Sequence, residues 1–509
     1  MRRAAGDRPA ADRSTSSPDL NKTSPRVLFV SPECAPLAKT GGLGDVSAAL
    51  PAALRGLGID VRVLLPGYPA VLAAASDARR ATRIFAFDPP VEARLLETEL
   101  PGGVPLIVLD CPVLFDRGGG PYQDESGEDW EDNSLRFGLL SKAAAILGGN
   151  ASPLEWRPDV VHCNDWPAGL APAYLHFSAP PRAASVMTVH NLAFQGNFDA
   201  TWVGKLDLPP ASLAVEGLEF HGAMSFLKSG LFYAQALTTV SPTYAREIQS
   251  EAYGCGMDGL LRRRSESLSG ILNGIDARTW SPAADPLIAE RYSADTLERK
   301  AANKEALQRR LGLAADANIP LLGLVSRLTH QKGIDLLIDA GPSLAALPSQ
   351  LVILGTGERA LEEASRALAA RHPARIAVVV GFDESLAHLI EAGADMFLMP
   401  SRFEPCGMNQ MYSQRYGTPP VAHATGGLVD TVVDCDRGTF PDESATGFLF
   451  REPTAQALLA AVQRATALYR DRRSWRALQR NGMMREFGWA AAARQYARIY
   501  ARLVERNSA

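Results

Sequence analysis

The feature that most constrains this chain is a rhythm. From Arg26 onward, short apolar, β-branched runs alternate with longer Ala/Leu-rich amphipathic stretches. In the first half the runs are "RVLFVSPE", "DVRVLLPG", "VPLIVLDC", "PDVVHCND", "ASVMTVHN" and "ALTTVSP". In the second they are "GILNGID", "IPLLGLVSR", "QLVILGTGE", "RIAVVVGF", "DMFLMPS" and "PPVAHAT". Continuously apolar strands separated by helices imply parallel sheets covered on both faces. At 509 residues the chain is too long for one core. Two series of strands therefore predict two doubly wound α/β domains. The expected boundary lies near Ser269 to Asn273, where the Arg-rich "LLRRRSESLS" gives way to "GILNGID", read as the restart of the strand series. From about Thr454 to Arg506 the apolar spacing is helical.

Composition removes several functional classes. The chain is 46% hydrophobic and 21% charged, with a formal net charge of -4. That gives no electrostatic case for nucleic acid or an anionic membrane surface. No apolar run reaches the ~18 residues of a membrane span. Cys34, Cys111, Cys163, Cys255, Cys406 and Cys435 are scattered, with no Cys-x-x-Cys pair or Cys/His cluster to hold zinc. A reducing cytoplasm is the expectation. Residues 1–25 are polar and lack the apolar core of a secretory signal, and Asp7, Asp12 and Asp19 count against a transit peptide. They are read as a disordered tail.

In open parallel sheets, ligands bind beyond the carboxyl ends of the strands, and the unusual residues gather there. Only eight of the 52 Lys+Arg are lysines, yet "KTGG" places Lys39 beside Gly41 and Gly42 on the first exit loop. Glycines let a backbone approach a ligand, and a helix N-terminus favours an anion. A tight turn with a solvated lysine would read the same way. In "SRLTHQKG", Arg327 and Lys332 flank a strand-to-helix loop, a placement that suits a diphosphate. In "PSRFEPCGMNQ", Pro405 favours an extended Glu404, a carboxylate able to accept hydrogen bonds from sugar hydroxyls. Cys406 has no identifiable histidine partner and is read as a small packed residue, not a nucleophile. "ATGGLVD" sets Thr425, Gly426 and Gly427 at another junction suited to phosphate. Asp165 with Trp166, and His190 with Asn191, end two further strands, while His162 is read as structural. The acidic "PYQDESGEDWEDNSLRF" lacks calcium-loop spacing and is read as an ordered loop near the cleft.

In this order the chain resembles the glycogen and starch synthases, specifically the bacterial type. "KTGGLGDV", "DWPAGLAPAYL", "TVHNLAFQG", "EFHGAMSFLKSGLFYA", "LNGID", "SRLTHQKG", "LGTGE", "AGADMF", "PSRFEPCGMNQ" and "TGGLVDTV" carry the resemblance from about Arg26 to the C-terminus. It implies a GT-B fold: two Rossmann-like domains, 26–270 and 271–482, and a C-terminal helix within 483–509 that crosses back to the first. It implies retaining transfer of glucose from ADP-glucose to the non-reducing end of an α-1,4-glucan, with no metal or other cofactor and no nucleic-acid or membrane partner. Carried over by position, Lys39, Gly41 and Gly42 approach the donor, and Arg327 and Lys332 hold its diphosphate. Glu404 sits beside the glucose. Asp45, Asp165, His190 and Asn191 line the sugar and acceptor side, with the His190 carbonyl facing an oxocarbenium-like centre. Thr425, Gly426 and Gly427 cap the phosphates. Asn273, Gly355, Cys406 and Gly407 complete the substrate-binding set. Asn164, Pro167, Phe194, Met408, Asn409 and His423 depart from the commonest family pattern. Other readings are a transferase using UDP-glucose or making maltose 1-phosphate, and a non-catalytic glucan-binding scaffold, which would need none of these charged groups. A dinucleotide oxidoreductase fails, because "LGTGE" lacks the full G-x-G-x-x-G context at a first strand.

Overall fold

The computed structural model describes residues 24–78, 80–436, 438–439 and 444–508. Apart from Ser24 and Pro25, the tail read as disordered lies outside the described residues. The first sheet has nine strands, in the spatial order Leu268–Gly270, Ala236–Thr239, Ala184–Val189, Val160–Asn164, Arg26–Val30, Asp60–Pro66, Pro105–Asp110, Val91–Glu99 and Arg80–Ala86. The second has six, all paired in parallel: Ile376–Val380, Gln350–Gly355, Leu321–Val325, Met396–Met399, Pro420–His423 and Phe448–Phe450. Central strands are fully buried, as their unbroken apolar runs require: Val27, Leu28, Phe29 and Val30 have no exposed surface.

Two features of the first sheet correct the sequence reading. Its last two strands are antiparallel, not parallel. Val91–Glu99 reads "VEARLLETE", with buried residues interleaved with exposed ones, so it gives no continuous apolar signal. The strand in "GILNGID" does not restart the series. Leu268–Gly270 pairs with Ala236–Thr239, Leu237 opposite Leu268, as the edge of the first sheet. The second sheet begins only at Leu321. Between them lies a crossing segment, irregular in its first part and then helical over Lys300–Arg310. Its Trp280 is stacked between His388 and Tyr412 of the second domain, each ring centroid 3.9 Å away.

The C-terminal helix, Ala490–Ser508, buries Tyr496, Ile499, Tyr500 and Leu503 in the core of the first domain. Tyr500 Oη lies 2.7 Å from Nδ1 of the fully buried His162, whose Nε2 lies 2.6 Å from Thr188 Oγ1. Burial lowers the His162 pKa to about 3, so the ring is neutral and structural. Among the described residues, no helix is long and apolar enough to cross a membrane.

Candidate active site

A cavity of about 780 Å³ lies between the two sheets and takes its walls from both domains. The residues that line it follow strand ends, as the topology dictates. Glu33 follows Arg26–Val30, Asp165 follows Val160–Asn164, and His190 follows Ala184–Val189. Across the cleft, Arg327 follows Leu321–Val325, and Ser401 and Glu404 follow Met396–Met399.

The second-domain wall carries the cations. Glu404 is 5% exposed. Its Oε2 accepts from Lys332 Nζ at 2.6 Å and from Ser401 Oγ at 2.9 Å. Arg327 is exposed on the same wall, and its guanidinium has no hydrogen-bond or ion-pair partner among the described residues. One cation is thus fixed by a carboxylate, and the other is available to an anion. Gly407, at φ 69°, turns the chain into the helix Asn409–Arg415. Asn409 Nδ2 donates to the Val325 carbonyl at 2.6 Å and ties this turn to the Arg327 strand.

The first-domain wall is polar, with carboxyl groups and no lysine or arginine among its lining residues. Asp165, at φ 54°, accepts from the His190 N–H at 2.7 Å and from the Asn191 N–H. Burial raises its carboxyl to about 7, and the nearby Glu33 charge pushes the same way. Burial lowers His190 to about 3, leaving a neutral ring. Its Nε2 lies 3.0 Å from Asn164 Oδ1, while Asn164 Nδ2 donates to the Val30 carbonyl. That orientation of the amide puts the imidazole proton on Nε2. Trp166 packs edge-on to Phe137, 4.8 Å between centroids, and Gly196, at φ 57°, lies where a Cβ would come within 2.3 Å of the Trp166 ring. Asn273 lines the cleft where the domains meet, hydrogen-bonded through its backbone to the Cys406 thiol. Burial pushes that thiol up to about 12, the wrong direction for a nucleophile.

Several residues expected in the site do not line the cavity. Lys39 Nζ pairs with Asp45 Oδ1 at 2.8 Å, and neither residue lines the cavity, although Gly41 and Gly42 do. The nearest carboxylate satisfies the ammonium. Thr425, Gly426 and Gly427 are also absent from the wall. Glu247 of the first domain takes the anion's place there, accepting from Gly426 N at 2.9 Å and Thr425 Oγ1 at 3.1 Å. The glycines serve packing instead: a Cβ on Gly426 would lie 2.0 Å from the Glu404 carbonyl oxygen, and one on Gly427 would lie 2.1 Å from that of Cys406. Gly355 likewise sits behind the site, where a Cβ would meet the Ser326 carbonyl oxygen at 1.8 Å.

Sequence reasoning did not single out Glu33, Ser401 and Asn409 as wall residues, nor Tyr122 within the acidic segment it placed near the cleft. Glu33 and Ser401 had a readable signal, each being a polar residue directly beyond an apolar strand. The acidic segment does form an ordered wall of the cleft, with Tyr122, Trp130 and Asn133 in it.

Comparisons with known proteins agree with this architecture. A family model described as the starch synthase catalytic domain matches residues 26–263, and one for glycosyl transferases group 1 matches residues 306–481. A glycogen synthase of Aromatoleum aromaticum is 60% identical, the match covering 93% of this chain and 96% of that one. One of Nitrosomonas eutropha is 55% identical, covering 95% and 97%. Among solved structures, the catalytic domain of starch synthase IV from Arabidopsis thaliana, bound to ADP and acarbose, superposes with a TM-score of 0.86 at 33% identity, over 95% of this chain and all of that one. Sucrose-phosphate synthase from Thermosynechococcus elongatus shares the fold, at a TM-score of 0.59, 20% identity and the same coverage. Two doubly wound domains facing across a charged cleft make the GT-B fold, and with identities of this size over nearly the whole length of both chains, the protein belongs to the glycogen and starch synthase family of glycosyltransferases.

Proposed function

We propose that the cleft transfers a glucosyl unit from ADP-glucose to the non-reducing end of an α-1,4-glucan, with retention at the anomeric carbon and release of ADP. The observation that carries this reading is the Lys332–Glu404 pair, 2.6 Å apart, beside Arg327 on the cleft wall, whose guanidinium has no partner among the described residues. As the C1–O bond to the diphosphate breaks, negative charge grows on the leaving group. Arg327 and Lys332 stabilise that charge, the electrostatic contribution that commonly dominates such catalysis. These protein cations do the work for which other enzymes use a divalent metal, so no cofactor is required. Positive charge grows on the sugar, and Glu404 and the His190 carbonyl face it. The neutral His190 ring offers no acidic proton there. Asp165 spends its carboxylate on two backbone N–H groups, which suits it to shaping the acceptor side. Lys39 joins by exchanging Asp45 for the diphosphate. Its pair is half exposed, and such pairs are worth only about 0–1 kcal/mol. Domain closure over the donor would exclude water and limit its hydrolysis. The six free thiols fit a cytoplasmic enzyme.

The test is transfer to glycogen from ADP-glucose and UDP-glucose in parallel, with and without EDTA. Transfer from ADP-glucose that EDTA leaves unchanged is the expected result. Preference for UDP-glucose would keep the reaction and overturn the donor. No transfer from either by folded protein would overturn the reading in favour of a small-acceptor transferase or a glucan-binding scaffold.

A further inference from the structure

Glu33 is 3% exposed and stands on the cleft wall beyond Arg26–Val30. Its Oε2 accepts the backbone N–H groups of Thr40, at 2.6 Å, and Gly41, at 3.1 Å. Its Oε1 accepts the Tyr122 hydroxyl at 2.7 Å. One buried carboxylate therefore joins the first strand, the glycine loop and the acidic segment. A glycine turn before the 15-residue helix Gly42–Gly56 offers its amides to an anion, and here a protein anion has taken two of them. The amides that remain are those of Gly42 and Leu43, which line the cleft and, as the first residues of a helix, have no partner one turn back. At its other end the network is knit into the acidic segment. The Tyr122 carbonyl accepts from Trp130 N at 3.1 Å and from Asn133 Nδ2 at 2.9 Å.

We infer that Glu33 is a positioning residue for the donor. It withdraws the Thr40 and Gly41 amides, fixes the loop so that the helix start faces the diphosphate, and couples that loop to the acidic segment through Tyr122. This rests on the function proposed above. The residue acts through its reach and by hydrogen-bonding on both sides, so conservative variants separate its roles. In Glu33→Gln, the amide oxygen still accepts from Thr40 and Gly41 while the amide NH₂ donates to Tyr122 Oη. Glu33→Asp keeps the charge but is one methylene too short to hold both sides. Tyr122→Phe removes only the second arm.

The experiment measures donor KM and kcat for these variants alongside their thermal midpoints. Loss of one such contact should raise donor KM by about three- to tenfold. Glu33→Asp should show a rise of that size, Glu33→Gln should stay within about threefold of wild type, and Glu33→Asp combined with Tyr122→Phe should be no worse than Glu33→Asp alone, because both act on one network. An unchanged KM in Glu33→Asp, with only a lowered thermal midpoint, would reduce Glu33 to packing and overturn the inference. So would Glu33→Gln proving worse than Glu33→Asp, which would make charge the operative property, or additive effects in the double variant. Wild-type protein that transfers from neither donor would overturn the function reading and this inference with it, and is told apart because the unmutated enzyme itself fails.

Discussion

At the scale of single residues, the cleft is a place where burial and charge are set against each other. Glu404 is nearly inaccessible and keeps its carboxylate on Lys332 and Ser401. Lys332→Ala should lower kcat by about a hundredfold or more, the scale seen when one preorganised electrostatic contact is removed. Circular dichroism should show a retained fold, with a thermal midpoint lowered because the Glu404 carboxylate loses its cation. Near wild-type turnover would defeat the diphosphate role. Asp165 gives a pH-dependent prediction. Its folded pKa of about 7 lies above the unfolded value of about 3.9. The native state therefore holds a proton that the unfolded state has released, and ionisation opposes folding increasingly as pH rises between those values. Asp165→Asn removes that opposition. Its stability relative to wild type should grow from about pH 4 to pH 7 and level off above, as read by urea titration at several pH values. A pH-independent difference would contradict the raised pKa.

At the scale of elements, glycines expected to touch ligand turn out to permit close approach of backbone to backbone. Gly426 combines φ 46° with the contact beneath the Glu404 carbonyl. Gly426→Ala should therefore cost at least about 1–3 kcal/mol in thermal or urea unfolding and also lower kcat, because the displaced atom belongs to the Glu404 turn. Gly355→Ala should show a comparable loss of stability with a smaller effect on kcat, since its neighbour is the Ser326 carbonyl and not the Glu404 turn. An equal effect of both on kcat would contradict that distinction. The sequence placed these glycines correctly at strand exits. It could not show whether the space above them belongs to a ligand or to another loop, because that loop lies 22 residues away for Gly426 (Glu404) and 29 for Gly355 (Ser326).

At the scale of the whole molecule, the two domains are tied by more than the chain that crosses between them. Asp430 accepts from Thr243 N and Oγ1, both at 2.8 Å, while Glu247 returns the arrangement at Gly426. The C-terminal helix then closes the molecule by covering the first domain. Truncation before Ala490 strips that core of Tyr496 and Tyr500 and leaves His162 without its phenol partner. The truncated chain should be insoluble or lose its cooperative thermal transition. Tyr500→Phe isolates the hydrogen bond and should cost about 1–3 kcal/mol. A truncated chain with the wild-type melting curve would show that the helix is dispensable.

The amino-acid sequence by itself determined the buried parallel strands of both sheets, the placing of polar chemistry at strand ends and, through ordered motifs, the family. Apolar periodicity is a local property, written wherever a strand is buried on both faces. Only the tertiary structure decided which partners those strand-end residues take. Lys39 takes Asp45, Glu247 fills the turn at Gly426, Leu268–Gly270 joins the first sheet, and Glu33 gathers three segments. Most of these pairings join residues far apart in sequence. Each is settled by which donor and acceptor arrive within hydrogen-bonding distance after the layers pack, and hydrophobic spacing carries no record of that competition.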